Sequence, residues 1–335
     1  MRKLDIIVTH YNEPWEVGQK FFDMLALQRG VDFNEIGVTI VHDGSEPFLE
    51  GILRYPFEIR QQCIDHGGVS KARNEGMKLA SAPWICFCDF DDMFASVYSL
   101  RHIMSILPAD DFDILWCEFY AEDQKASGQI VLNKRSENSV FIHGKYFRRS
   151  FLEDHGLTFP EDLEFNEDSA FCAVAFAICD HKRVGKITAE TPLYVWTFRN
   201  GSSTGTRGHR SRAMKGLYQR NKIVCDAYEK YVDKARYRTM VCRTCYDAYH
   251  MLNVKVLPDE LKEVMADFRE FWKTHKAAFV ACDRKLRLEA ADASRKEREL
   301  GDKEEAERWG DTETVFDTNI TFKQWITEEV GDLNG

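Results

Sequence analysis

Trp84-Ile85-Cys86-Phe87-Cys88-Asp89-Phe90-Asp91-Asp92-Met93-Phe94 runs five apolar residues straight into three acids. The apolar part has the pattern of a strand covered on both faces. In a parallel α/β sheet, ligands sit just beyond the carboxyl ends of the strands. Acids at that place have to be solvated, paired or bound to a cation, because burying unpaired charge is costly. On an extended backbone Asp89 and Asp91 point to one side and Asp92 to the other. Two carboxylates on one face suit a hard divalent cation, Mg²⁺ or Mn²⁺, and such a cation suits a diphosphate. The same acids also read as a polar turn with helix-capping carboxylates, so the flanking segments have to decide.

Those segments repeat one theme. Residues 4–9 form a buried strand that ends in His10-Tyr11-Asn12-Glu13-Pro14. Residues 15–28 carry Val17, Phe21, Phe22 and Leu25 at helical spacing. Residues 38–41 make a second strand, ending in His42-Asp43-Gly44-Ser45, and residues 57–63 a weaker third. Residues 69–82 form a helix that Pro83 stops. This β-α-β-β-α-β order predicts a mostly parallel sheet covered by helices. If the strands are neighbours, Thr9 to Asn12, Asp43 and Asp89 to Asp92 line one nucleotide-sized crevice. No GxGxxG follows the first strand and no GxxxxGK[ST] occurs, which argues against a dinucleotide dehydrogenase and a P-loop enzyme.

Further on, residues 96–107 read as a helix and 113–120 as one strand. His143 to Arg149 is basic and aromatic. Glu167-Asp168 opens an apolar helix, where acids also favour the dipole without any further role. Residues 193–198 form a last strand. The Gly-, Ser- and Thr-rich segment after Arg199, with Arg207, has loop composition and suits closure over phosphates, or is an ordinary surface loop.

The chain has 335 residues, enough for one large domain or one plus a smaller one. A net charge of −10 argues against a general polyanion binder. No apolar run is long enough to span a membrane, and no signal peptide is expected. The ten scattered cysteines predict reduced thiols and a cytoplasmic setting. Cys242 and Cys245 form a CxxC without a second ligand pair, so zinc is not expected. Residues 199–243 hold 12 lysines and arginines against 3 acids, interleaved with tyrosines. That is either a solvated helix pair around a tyrosine core or a surface for a nucleic acid or anionic glycan.

Thr9-His10-Tyr11-Asn12-Glu13, Val41-His42-Asp43-Gly44-Ser45, Gly68 to Gly76, Asp89-Phe90-Asp91-Asp92 and Glu167-Asp168, in that order, resemble the family 2 glycosyltransferases. The resemblance covers residues 4–205. It implies an α/β fold of GT-A type, Rossmann-like with a mostly parallel central sheet flanked by helices, over residues 1–210. Residues 211–335 would be a mainly helical extension. It implies a metal-dependent, inverting transfer of a sugar from a UDP-sugar to an acceptor hydroxyl, with Mn²⁺ or Mg²⁺ as cofactor. By match, Asp43 contacts the base or ribose and Thr9, Tyr11 and Glu13 shape the base pocket. Arg73 lies near the nucleotide. Asp89 faces the ribose and, with Asp91, the metal, with Asp92 supporting. Asp168 is the catalytic base. Trp196, Arg199 and Arg207 close around the donor, and His209 is the candidate third metal ligand. The family usually has Asp where this chain has His42.

The expected acceptor is a glycan. An alternative keeps the chemistry and takes DNA with hydroxymethylated bases as acceptor, through the basic stretch 199–243. A nucleotidyltransferase and a non-catalytic sugar-nucleotide-binding module are the remaining rivals.

Overall fold

The computed structural model describes residues 1–49, 51–125, 127–136, 140–199, 210–252, 259–300, 322 and 324–330. The chain divides into two units, Met1–Arg207 and Gly208–Gly335. In the first unit the order is β1 (Leu4–His10), α1 (Trp15–Ala26), β2 (Ile36–Asp43), β3 (Glu58–Ile64), α2 (Val69–Leu79), β4 (Trp84–Asp89), β5 (Met93–Phe94) and α3 (Ser99–Ile106). Then come β6 (Ile114–Cys117), β7 (Phe119–Gln124), β8 (Ile130–Arg135), β9 (Lys145–Arg148), α4 (Arg149–Asp154), α5 (Glu167–Ile178), β10 (Val184–Ile187) and β11 (Tyr194–Trp196).

Seven strands form the main sheet, in the order β10-β6-β9-β4-β1-β2-β3. β3, β2, β1 and β4 are parallel, so their carboxyl ends lie together. Thr9 stands beside both Val41 and Asp89 in register, which puts the three polar strand ends on one edge, as the sequence predicts. β9 enters antiparallel between β4 and β6. The continuous apolar runs follow from this arrangement: β1, β2 and β4 are buried almost throughout, whereas the edge strand β3 is largely exposed.

Alternate side chains of β1 serve different cores. Leu4, Ile6 and Val8 pack with Phe21, Phe22 and Leu25 of α1 and with Leu100 and Ile103 of α3. Ile7 faces the other way, with Ile85, Phe87, Phe147, Phe159 and Phe171. On that side α2 comes so close that a Cβ at Gly76 would lie 2.3 Å from Ile7 Cγ2.

Three local expectations change. α2 ends at Leu79 rather than at the residue before Pro83. The buried Asp5 carboxylate accepts from Ser81 N–H at 2.6 Å and Ala82 N–H at 2.7 Å, which pulls the chain out of the helix early. Residues 113–120 are not one strand: Glu118 is the break, and β6 and β7 belong to different sheets. Beyond Asp89 the backbone is not extended, because Asp92 N–H closes a turn onto Asp89 C=O at 3.2 Å. The alternation that put Asp89 and Asp91 on one side does not apply there. The second sheet, β5-β11-β7-β8, contains the far side of that turn.

The second unit holds α6 (Arg210–Tyr231), α7 (Lys234–Leu252) and α8 (Asp259–Leu300). Its core is aromatic, with Tyr218, Tyr246, Tyr249, Phe268, Trp272 and Phe322 buried. Tyr218 Oη donates to Asp267 at 2.8 Å, and Lys222 Nζ reaches the same carboxylate at 2.5 Å. Lys215 pairs with Glu263. The stretch read as either a tyrosine core or a polyanion surface thus has tyrosines in the core and some of its cations on acids. Nine of the ten free cysteines are buried, Cys242 and Cys245 among them, and Cys63 is exposed. No helix among the described residues is long and apolar enough to cross a membrane.

Asp5→Ala leaves two amide N–H groups without their acceptor beneath the sheet. The expected loss is about 3 kcal/mol of stability, read as a lower urea midpoint at unchanged m value.

Candidate active site

Arg73, in the middle of α2, is almost fully buried at 4% exposure, so its charge has to be met locally. Its Nη2 donates to Asp89 Oδ1 at 3.0 Å and its Nη1 to Glu167 Oε1 at 2.9 Å. One guanidinium therefore ties the end of β4 to the first turn of α5. Burial opposes the charge on Arg73, but Asp89, Glu167 and Asp168 outweigh it and raise its pKa. Burial likewise pushes Asp89 up, and Arg73 together with His143 more than reverses that, leaving the carboxyl below its usual range.

Asn166 precedes α5 in the left-handed region, φ 65°, a conformation that Asn tolerates better than most residues. It turns the chain so that Glu167 and Asp168 open the helix. Asp168 Oδ1 accepts from Ser169 N–H at 2.6 Å. Its pKa is pushed up to about 6 by burial and by the Glu167 charge, against the pull of Arg73. Lys145, at the start of β9, is buried with Nζ on Phe141 C=O, and burial lowers its pKa.

A second arginine closes the other side. Arg199 Nε donates to Asp91 Oδ2 at 2.8 Å and Nη2 to Glu13 Oε1 at 2.9 Å. The other Glu13 oxygen accepts from Tyr11 N–H at 2.8 Å. Asn12, again at positive φ (60°), donates its N–H to Ser45 Oγ at 2.8 Å, joining the ends of β1 and β2. The half-exposed Tyr11 ring stacks on His66 with centroids 4.4 Å apart. Asp43 is turned onto the loop before α2: it accepts from Gly67 N–H at 2.7 Å, Gly68 N–H at 2.9 Å and His66 Nδ1 at 2.9 Å.

Asp92 is fully buried. Tyr194 Oη and Thr197 N–H donate to its two oxygens, each at 2.8 Å. Burial and the neighbouring Asp89 and Asp91 push its pKa well up. His143 Nδ1 stands 3.5 Å from Asp92 Oδ2 and is buried without a hydrogen-bond partner among the described residues. Burial lowers the His143 pKa to about 4, so the ring is neutral. One ligand atom each from Asp89, Asp92 and His143 lies within 4.8 Å of the others. Two carboxylates and a neutral imidazole are a donor set that suits a small divalent cation.

The structure brings Thr9, Tyr11, Glu13, Arg73, Asp89, Asp91, Asp168 and Arg199 to the carboxyl edge of the sheet. Trp196 stands at the end of β11, 6.1 Å between ring centroids from His143. Arg207 and His209 lie outside the described residues. Sequence reasoning missed His143, Tyr194 and the structural role of Glu167. No local pattern marks His143; the Gly144 that follows it sits at φ +67°, where an added Cβ would lie 2.9 Å from Cys117 C=O.

Residues 5–175 match the family model described as Glycosyl transferase family 2. The chain is 29% identical over 197 residues to the uncharacterized glycosyltransferase EpsJ of Bacillus subtilis (strain 168), covering 52% of this chain and 56% of that protein. It is 24% identical over 192 residues to the poly(ribitol-phosphate) beta-N-acetylglucosaminyltransferase TarS of Staphylococcus aureus (strain Mu50 / ATCC 700699). That match covers 52% of this chain and 33% of TarS, so the chain spans about half or less of these curated relatives. Among solved structures, S. aureus TarS 1-349 in complex with UDP-GlcNAc superposes with a TM-score of 0.66 at 17% identity, over 95% of this chain and 92% of that one.

Arg73→Met removes the only guanidinium that joins Asp89 to Glu167 among the described residues. It should cost about 3–5 kcal/mol of stability near neutral pH, because two partly buried carboxylates lose their partner. Urea unfolding measures the loss, which should shrink as the pH falls and the carboxylates take up protons.

Proposed function

The chain belongs to glycosyl transferase family 2, and we propose that it moves a sugar from a UDP-sugar to an acceptor hydroxyl with inversion at the anomeric carbon. The observation that carries this reading is the Arg73 bridge, which holds the donor-side acid Asp89 and the acid pair Glu167–Asp168 in one rigid group. The UDP and UDP-GlcNAc complexes of the TarS neighbour favour uridine over other nucleotides as the first donor to test.

In this reading Tyr11, with His66 beneath it, offers a flat surface to the base, and Thr9 and Glu13 bound the pocket. Asp43 holds the Gly67–Gly68 turn, so its part in nucleotide binding is to fix the backbone of that wall. Asp168 takes the proton of the acceptor hydroxyl as general base. Arg199, held by Asp91 and Glu13, offers a cationic group to the diphosphate. A divalent cation, when bound, neutralises the charge that develops on the leaving diphosphate. Asp89 is common to both candidate ligand sets: the motif pair Asp89 and Asp91, and the convergent group Asp89, Asp92 and His143.

The acceptor is proposed to be a glycan. In the second unit Lys215 and Lys222 are paired with acids, which leaves less of the basic stretch for a polyanion than its composition implies.

Three outcomes test this. UDP with Mn²⁺ should raise the melting temperature, and GDP, dTDP and CMP should raise it less. The Mn²⁺-dependent part should vanish in Asp89→Ala. Loss in Asp91→Ala as well assigns the cation to the motif pair, and loss in His143→Ala assigns it to the convergent group. No shift with any nucleotide would sink the donor reading. Asp168→Asn should lower kcat by about 10²–10⁴-fold with the UDP shift intact. The pH profile should follow the carboxyl that burial raises to about 6. The base works ionised, so kcat/KM should climb about tenfold per pH unit below that value and level off above it.

A further inference from the structure

At the ends of β1 and β2, directly under the Tyr11–Glu13 segment, His10 and His42 face each other with both rings buried. Their Nδ1 atoms are 2.8 Å apart, a hydrogen-bond distance. The outer nitrogens are also engaged. His10 Nε2 is 2.7 Å from Glu13 C=O, and His42 Nε2 is 2.9 Å from Gln61 Oε1. The orientation of the Gln61 amide is fixed from both ends, since Phe48 N–H donates to Oε1 at 2.8 Å and Nε2 donates to Phe48 C=O at 3.0 Å. Both outer partners of the pair are therefore acceptors, and both Nε2 atoms have to carry hydrogen.

A neutral imidazole has one N–H. With both protons on the outer nitrogens, the two Nδ1 lone pairs would oppose each other at 2.8 Å in a buried site. With a proton moved inward on His10, its Nε2 lone pair would oppose Glu13 C=O at 2.7 Å instead. Two neutral rings leave one repulsive contact in either arrangement. Three ring protons leave none.

We propose that the buried His10–His42 pair holds a third ring proton between its two Nδ1 atoms, and that this proton site positions Glu13 and through it the donor side of the crevice. The second half rests on the donor reading given above. Burial holds His42 toward the neutral form, at about 4. The charge that faces the pair is the Glu13 carboxylate, 3.9 Å from His10 Nε2, and behind it Arg199. Among the described residues, Phe48, Phe90 and Gln61 also pack on it and are neutral. A row of alternating charge results: Asp91, Arg199, Glu13, His10.

The sign of the pH effect follows. Above about pH 6.5 an unfolded histidine is mostly neutral, so the folded pair binds one proton more than the unfolded chain. Its contribution to stability is therefore present near neutral pH and is lost as the pH rises and that proton leaves.

The test counts ring protons by two-bond ¹H–¹⁵N correlation on the whole chain near neutral pH. The expected result is one ring with two N–H groups and one with hydrogen on Nε2 alone. Two neutral rings would overturn the proposal. In His42→Asn the amide donates to His10 Nδ1, so the doubly protonated ring should disappear while the fold stays. UDP affinity, measured by calorimetry, should weaken about fivefold in the wild type as the third proton leaves at high pH. It should be flat with pH over that range in His42→Asn. Equal pH dependence in both would overturn the positioning role. A chain that shows the third proton and binds no UDP at any pH keeps the proton site and refutes the donor reading instead.

Discussion

One buried guanidinium organises the first unit. Arg73 is almost fully buried, so the fold has to bring acids to it, and it does so from two distant parts of the chain, β4 and α5. The carboxyl edge of the sheet inherits its geometry from that requirement. Asp89 is held below its usual pKa by the same charge that only partly offsets the rise at Asp168. One side chain thus holds the Asp89 carboxyl below its usual range while that of Asp168 is pushed up to about 6. The difference follows from distance and burial and not from residue type.

The polar groups around this bridge belong to a second network that reaches across β1, β2 and β3. Asn12 joins Ser45, Asp43 joins the loop before α2, and Gln61 is fixed by the Phe48 backbone. Few of these contacts lie between residues close in sequence. The parallel order of the strands makes them local in space, and short polar side chains at each strand end do the rest. Asn12 and Asn166 take left-handed conformations, and each stands directly before an acid of the crevice, Glu13 and Glu167.

Much of this was legible in the sequence. β1, β2 and β4 are covered on both faces, so their apolar runs are unbroken and end abruptly in polar residues. Glu167 and Asp168 were visible as an acid pair opening an apolar helix. What was not legible depends on pairings that no local pattern encodes. Residues 113–120 look like one strand, because nothing at Glu118 signals that the chain leaves one sheet for another. Asp91 lies in a turn, and Asp92 closes it with a hydrogen bond that is invisible in composition. His143 meets Asp92 because the segment leading into β9 passes that turn, and a lone histidine before a glycine does not announce it. The proton shared by His10 and His42 is further removed still, since it follows from two acceptors, Glu13 C=O after β1 and Gln61 on β3.

The antiparallel insertion of β9 has a consequence for how the chain is made. The block β3-β2-β1-β4 is complete once residue 89 has left the ribosome, but the outer edge of β4 then has no neighbour. β6 and β10 do not relieve it, because β6 pairs with β9 and β10 with β6. The edge waits for residues 145–148, and only then can the remaining strands dock in turn. During that interval a buried-type strand with unpaired amides is open to wrong partners. β9 works as a keystone: a four-residue strand seals an edge laid down far upstream of it in the chain.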